Sequence, residues 1–377
     1  MLFTLMASAQ ASGGQIHRKT KIPSRNIRNS SDSPQIRVLS ESEKTCELIS
    51  KTINGANGSY EQPCISDSYL GSYIIPSKVG GYTVVRIGNN AFCRCKKITS
   101  LKIPSTVKEI GEYAFSGCTS LTNVKIAGSI KVISKGAFYF CSSLETMNLP
   151  EGLINIEEDA FAFCERLTTI SLPNTLISIG KNSFNGCGFV SLSIPSSVKT
   201  IGDGAFYRSQ LKSIVIPSNI KAISNNTFAG CELLTSVNIH IGVTSIGDNA
   251  FSGCKSLVSI IIPESIDHIG KWAFASCRSL TTLTIPDNVI VIRSSTFSWC
   301  TSLNSLTISS NIKEIDLDAF SDCKTLSIYC SIQNPKNCII RKIEGLPLKV
   351  SLYVPKGTKT LYEEAGWCNY FSSIFEK

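Results

Sequence analysis

Apolar residues recur in this chain with a period of 23, and each period holds the same short alternations. From Phe92 the apolar positions are Phe92, Cys95, Ile98, Leu101, Ile103, Val107, Ile110 and Ala114; the next period repeats them as Phe115, Cys118, Leu121, Val124, Ile126, Ile130, Ile133 and Ala137. The phenylalanine returns at Phe138, Phe161, Phe184, Phe206, Phe228, Phe251, Phe274, Phe297 and Phe320, and every step is 23 residues except two of 22. Leu101-Lys102-Ile103 and Val124-Lys125-Ile126 alternate as a strand with one buried face does. A proline usually follows (Pro104, Pro150, Pro173, Pro195, Pro217, Pro263, Pro286). Lacking an N–H, it ends the pairing and turns the chain. A second extended piece, Val107 to Ile110, comes next. Gly111 then permits a tight turn, and residues 112–116 are predicted as one turn of helix aiming Ala114 and Phe115 inward.

A fixed period of this length marks a stacked-repeat protein in which each unit buries its apolar side only against its neighbours. The expectation is an α/β repeat fold: a solenoid of about eleven 23-residue coils, with parallel β-sheet faces and short helical turns. With strands about 4.8 Å apart, the stack would be on the order of 55 Å long. Four regions follow: a leader and basic tail over 1–44, an N-terminal cap and first partial repeat over 45–86, repeats over 87–325, and a C-terminal cap over 326–377. The two short units lose their residue in the turn after the cysteine position, so strand register should survive.

The phrases Ile110-Gly-Glu-Tyr-Ala-Phe-Ser-Gly-Cys118 and Ile246-Gly-Asp-Asn-Ala-Phe-Ser-Gly-Cys254, with Leu192-Ser-Ile-Pro195 and Leu283-Thr-Ile-Pro286, resemble the BspA-type leucine-rich repeat family. The stretch 352–362, with Gly366-Trp367 after it, resembles the closing segment of bacterial members. Departures fall at Ser209 for cysteine and at Ala127, His240 and Ser309 for proline. The resemblance implies a right-handed solenoid, secreted or at a cell surface, that binds other proteins, host matrix proteins included, and acts in adhesion. It implies no shared catalytic residues. A carbohydrate-binding or structural surface component is the alternative, and a hydrolase with a cryptic site a third.

Charge and cysteine change this picture little. The net charge is +9, and about half of it lies in the tail, where a basic run is usually solvated. No Arg-rich, aromatic-interleaved stripe points to nucleic acid. Ala7-Ser8-Ala9 and Ala9-Gln10-Ala11 fit a signal-cleavage pattern behind a short apolar start. No segment is long and apolar enough to span a membrane. Of 16 cysteines, ten stand three residues after a repeat phenylalanine. Free cysteine packs as a small apolar residue, and stacked side chains pointing the same way do not meet disulfide torsions, so these are expected to be buried thiols. Cys46 with Cys64 and Cys330 with Cys338 are expected as cap disulfides in an exported protein.

No catalytic motif is present: H-E-x-x-H, G-x-S-x-G and phosphate loops are absent. Asp267 and His268 are adjacent and point to opposite faces of extended chain. No metal site, cofactor or enzyme activity is expected. Two surfaces remain as candidates. Tyr139, Phe140, Phe163, Tyr207, Trp272 and Trp299 lie at turn positions beside the repeat phenylalanine, where exposed aromatics serve as binding anchors; Phe140 and Phe163 hold one position in successive coils and should stack. The alternative is that these rings pack over the turn. The strand face offers Thr122, Asn123, Thr146, Asn148, Thr168, Thr169, Thr281, Thr282 and Thr284, part of a broad, mostly uncharged hydroxyl and amide surface without aromatics that also carries Lys102 and Lys125. Threonine also suits a pleated sheet for its own sake.

Overall fold

The computed structural model describes residues 34–55, 58–65, 69–341 and 348–377. The cleavage pattern at 7–11 lies outside them. The chain winds into a parallel solenoid of about 13 turns of about 23 residues, with little helix; the caps add turns that lack the repeat phrase. Coils are numbered here from the one that opens at Phe92.

Each coil has three sides. One carries the longer strands. Gly71–Ile74, Ile98–Ile103, Asn123–Ile126, Thr146–Asn148 and Thr169–Ser171 form one parallel sheet, in a register that sets Lys125 beside Lys102 and Thr146 beside Asn123. The second side carries two-residue strands such as Val132–Ile133, Asn155–Ile156 and Ser178–Ile179, again parallel. The prolines between them work as expected: the carbonyls of Pro104, Pro150 and Pro173 accept from the N–H three residues on, at 3.2, 3.2 and 3.0 Å.

The third side differs from the helical turn predicted for it. It is a run of tight turns, with bonds such as Ser116 N to Tyr113 O at 3.1 Å. Alternate N–H groups leave the coil for the next one, as Phe92 N does to Ala114 O (2.7 Å) and Arg94 N to Ser116 O (2.6 Å). Left-handed residues two before and two after each phenylalanine break up any helix. The one exception is the 3-10 turn Leu317–Phe320.

The core is a column. The eleven phenylalanine rings stack with centroids 5.2–6.2 Å apart and planes within 20° of parallel. Beside it runs a thiol ladder. Each of the nine cysteines Cys118, Cys141, Cys164, Cys187, Cys231, Cys254, Cys277, Cys300 and Cys323 donates to the carbonyl of the phenylalanine one coil back, at 3.0–3.2 Å. Where Ser209 replaces cysteine, its hydroxyl lies 3.3 Å from the Cys231 sulfur.

The short coils keep their register, with Ser178 beside Thr200 and Ser213 beside Ser236. Pairing on the strand side thins, however. Ser191 makes only an isolated bridge to Ser213, so the long sheet stops at Ser171 and a new one begins at Ser213. Phe189 takes the place of the ladder leucine and packs edge-on between Phe184 and Phe206, filling volume the missing residue would leave.

The N-terminal cap sheet reaches back to Ile36–Ser40, inside the stretch read as tail; it pairs antiparallel with Thr45–Leu48, which runs parallel to Tyr82–Ile87. Buried Glu47 is held there by Arg37 and Arg86. At the other end, Tyr362 and Trp367 close the column. The two expected cap disulfides do not form. Cys46, Cys64, Cys330 and Cys338 are thiols; the Cys330 sulfur lies 3.1 Å from the Tyr362 hydroxyl, and Cys46 faces the Tyr82 carbonyl.

Burial pushes Cys231 up to about 11 and Cys323 up to about 12. It also raises Cys141, Cys164, Cys187, Cys254 and Cys277. At Cys118 and Cys300 a hydrogen bond with a neighbouring thiol is the larger cause, and burial adds to it. An unfolded chain ionises its thiols near pH 8.5, whereas these stay protonated when folded. Stability is therefore full below about pH 8.5 and falls as pH climbs toward the folded values. The nine shifts act in one direction, so the reduced solenoid should lose stability progressively as pH rises above about 8.5. Circular dichroism against pH in reductant measures this, and Cys141→Ala with Cys254→Ala should make stability fall less steeply. A melting temperature that does not fall between about pH 8.5 and pH 10 would refute the idea that the fold holds these thiols protonated.

Candidate binding faces

The turn side is built around two left-handed backbone positions per coil. Two residues after each phenylalanine stand Arg94, Gly117, Phe140, Phe163, Gly186, Arg208, Gly230, Gly253, Ser276, Trp299 and Asp322, all with φ between 53° and 73°. Two residues before it, Asn90, Tyr113, Asp159, Asn226, Asn249 and Trp272 do the same. Such backbone suits glycine, and a non-glycine residue there costs roughly 1 kcal/mol. Asparagine and aspartate tolerate it; bulky aromatics rarely occupy it. Phe140, Phe163, Tyr113, Trp272 and Trp299 therefore sit where the backbone gains nothing from them.

Nor does the core gain much. Phe140, Trp272 and Trp299 remain 45, 44 and 49% exposed. Tyr139, Phe140 and Phe163 form one cluster: Tyr139 meets Phe163 edge-on at 5.6 Å, and Phe140 lies 6.3 Å from Phe163 with planes tilted by 57°. The stacked pair expected from sequence is thus a tilted three-ring cluster, because Tyr139 wedges against Phe163. A charged ladder flanks it. Lys135 and Lys181 reach Glu158 at 2.7 and 3.8 Å, and the Lys135 hydrogen bond lowers the Glu158 carboxyl. Burial, helped by the Glu158 charge, raises Asp159; burial, with the Asp159 charge behind it, raises Tyr139.

The other three aromatics are not part of that cluster. Tyr207 lies under the Arg208 guanidinium, 5.2 Å from its ring centroid. It borders a notch of about 620 Å³ that the short coil opens, lined also by Gln210, Asn226, Leu233 and Lys255. Trp272 and Trp299 have no ring partner among the described residues.

The strand side divides. Thr122, Thr168 and Thr281 turn their hydroxyls onto carbonyls one coil back, those of Thr99, Glu145 and Val258, at 2.9, 3.4 and 3.4 Å, which gives them a structural task. Asn123, Thr146, Asn148, Thr169, Thr282 and Thr284 are exposed, and the Asn123 amide meets the Thr146 hydroxyl at 3.4 Å. Sequence reasoning missed two features here. Val215 and Ile261 are 56 and 84% exposed in the outermost row. In the C-terminal cap, Tyr329, Tyr353 and Phe375 stack in that same row at 4.9 and 5.2 Å, with Lys377 over Tyr329. Their coils depart from the 23-residue spacing, which hid the alignment. Of the two described histidines, His240 Nδ1 lies by the Ile241 carbonyl and His268 Nδ1 by Arg293.

Comparison with known proteins agrees with this architecture. The family described as BspA type leucine rich repeat region matches in six copies, over 64–171, 155–248 and 221–339. Among solved structures, a leucine rich cell surface protein of Faecalibacterium prausnitzii A2-165 is 24% identical; the match covers 92% of this chain and 98% of that one, with a TM-score of 0.54. The pneumococcal vaccine antigen PcpA is 21% identical over 94% of this chain and 98% of its own, with a TM-score of 0.59. Both likenesses concern the fold. A search of curated proteins gives no match. No helix among the described residues is long and apolar enough to cross a membrane.

Glycine already occupies the Phe140 position in four coils. Phe140→Gly should therefore cost less than about 1.5 kcal/mol in urea unfolding, relief of the left-handed strain offsetting much of the lost contact. Phe138→Ala, two residues away in the ring column, should cost about 3–5 kcal/mol. Equal losses would make Phe140 a core residue.

Proposed function

The chain belongs to the BspA-type leucine-rich repeat family, and on that premise we propose that it is an exported, non-enzymatic scaffold that recognises another protein at a cell surface. The observation that carries this reading is the cluster of Phe140, exposed, with half-buried Tyr139 and Phe163; Phe140 and Phe163 stand at strained backbone positions that need no aromatic side chain. Strain retained without structural return is a pointer to function. Aromatic anchors surrounded by polar groups are what protein interfaces use as hot spots, and here the Lys135–Glu158–Lys181 ladder supplies a polar rim. Trp272 and Trp299 would extend the contact along the same side of the rod. Adhesion to a host matrix or cell-surface protein is the role this arrangement serves, because a long rigid rod displays many such positions at once. The rings that decorate the turn side are absent from the exposed threonine and asparagine rows of coils 2–4 and 9, which places the strand face second as a docking surface.

The test is a binding screen against surface-displayed host proteins with the full chain and with Phe140→Gly/Phe163→Gly. The double variant should lose at least tenfold in affinity for the partner, with its melting temperature within a few degrees of the parent. Undiminished binding by a folded double variant would move the site elsewhere.

A further inference from the structure

The excess positive charge of this chain is not spread over it. Residues 94–131, which make up most of coils 1 and 2, hold seven lysines and arginines against two carboxylates. Residues 132–377 hold twenty of each sign, and residues 45–93 three of each. Outside the first 44 residues, the whole surplus therefore lies in two adjacent coils.

The structure places that surplus in pairs. Lys102 and Lys125 are direct neighbours in the parallel register of the strand face, where strands lie about 4.8 Å apart. They are the only charges in the outermost row of the repeats, which continues through Asn148 and Ser171. Lys108 and Lys131 hold one position in successive coils, just past the turn that ends the strand. All four side chains are exposed. Arg94, on the turn side, and Lys96 and Lys97, in the turn that leads into the strand, are exposed as well. None of these seven lies within 4 Å of a described carboxylate. Of the two acidic groups in the segment, Glu109 is held by Arg86 at 3.2 Å, and Glu112 lines a hollow with Lys135 of the next coil. Like charges set directly opposite on a sheet are destabilising. Coils 7 and 8 instead stack opposite charges, Lys255 on Glu232 at 2.6 Å.

We propose that coils 1 and 2 form a binding belt for a linear acidic polysaccharide, a glycan bearing sulfate or carboxylate groups. Anionic groups threaded along the belt would relieve the lysine repulsion. Two residues before these lysines the strand face carries Ser100 and Asn123 as a neighbouring pair, hydroxyl and amide groups of the kind that meet sugar hydroxyls. It offers no aromatic platform for bases, so a glycan fits better than a nucleic acid. The belt shares no residue with the aromatic cluster, and each surface can be lost without the other.

The experiment measures binding of the full chain to heparin, to its desulfated form and to a single-stranded polynucleotide, across a range of salt. Lys102→Gln/Lys125→Gln/Lys108→Gln/Lys131→Gln should lose at least tenfold in heparin affinity at 0.15 M salt and show a shallower salt slope. Lys199→Gln/Lys221→Gln, a lysine pair of the charge-balanced region, should stay within twofold. Melting temperature should hold or rise in Lys102→Gln/Lys125→Gln, since a repulsion is removed. The proposal is overturned if the belt variant binds heparin like the parent, if the control pair loses as much, or if the polynucleotide binds as tightly as heparin.

Discussion

Everything in this molecule depends on vertical identity: a group in one coil can be satisfied only by the matching group one coil away. The phenylalanine column shows it most plainly. Each ring inside the column has a ring above and below at 5.2–6.2 Å, so its size and rotamer are dictated by its neighbours and theirs by it. The backbone obeys the same rule. Peptide groups on all three sides send bonds to the adjacent coil, and the buried thiols send theirs one coil back. A residue that breaks the match is felt on both sides, which is why the missing residue in coil 5 is accompanied by Phe189 and by a gap in sheet pairing.

That dependence explains what could be read from sequence. The column, the strand sides, the prolines and the burial of the ladder cysteines follow from spacing alone, because packing repeats wherever the chain repeats. The helical turn did not follow. Its signal was present in the Ser-Gly-Cys phrases at 116–118 and 252–254, whose glycine announces a left-handed residue, yet an apolar period does not report backbone sign. The cap disulfides failed for a related reason: proximity of cysteines in sequence says nothing of where irregular segments carry them. The aromatic stack of Tyr329, Tyr353 and Phe375 lay hidden because cap coils have lengths of their own. For the candidate surfaces, exposure of the turn-side rings was legible, and their three-ring packing was not.

The same logic separates structural work from surface work. Threonines that reach back to a carbonyl support the ladder, while the residues one and three places on face solvent. Charge behaves likewise. Over most of the solenoid, opposite signs stack and neutralise each other. Coils 1 and 2 are where the net positive surplus of the repeats collects, and the aromatic cluster is a place where apolar side chains leave the column. Both are departures from vertical economy, and they occupy different sides of the rod.

The row of left-handed residues has a consequence for how such a protein can change. Its backbone is fixed by bonds between coils, and its side chains point away from the column. Within this one chain it already holds arginine, glycine, phenylalanine, serine, tryptophan and aspartate at equivalent sites. Each coil thus contributes one letter that can be rewritten by a single codon while the spelling around it stays constant. A gene built this way can alter its recognition text coil by coil, keeping the same paper.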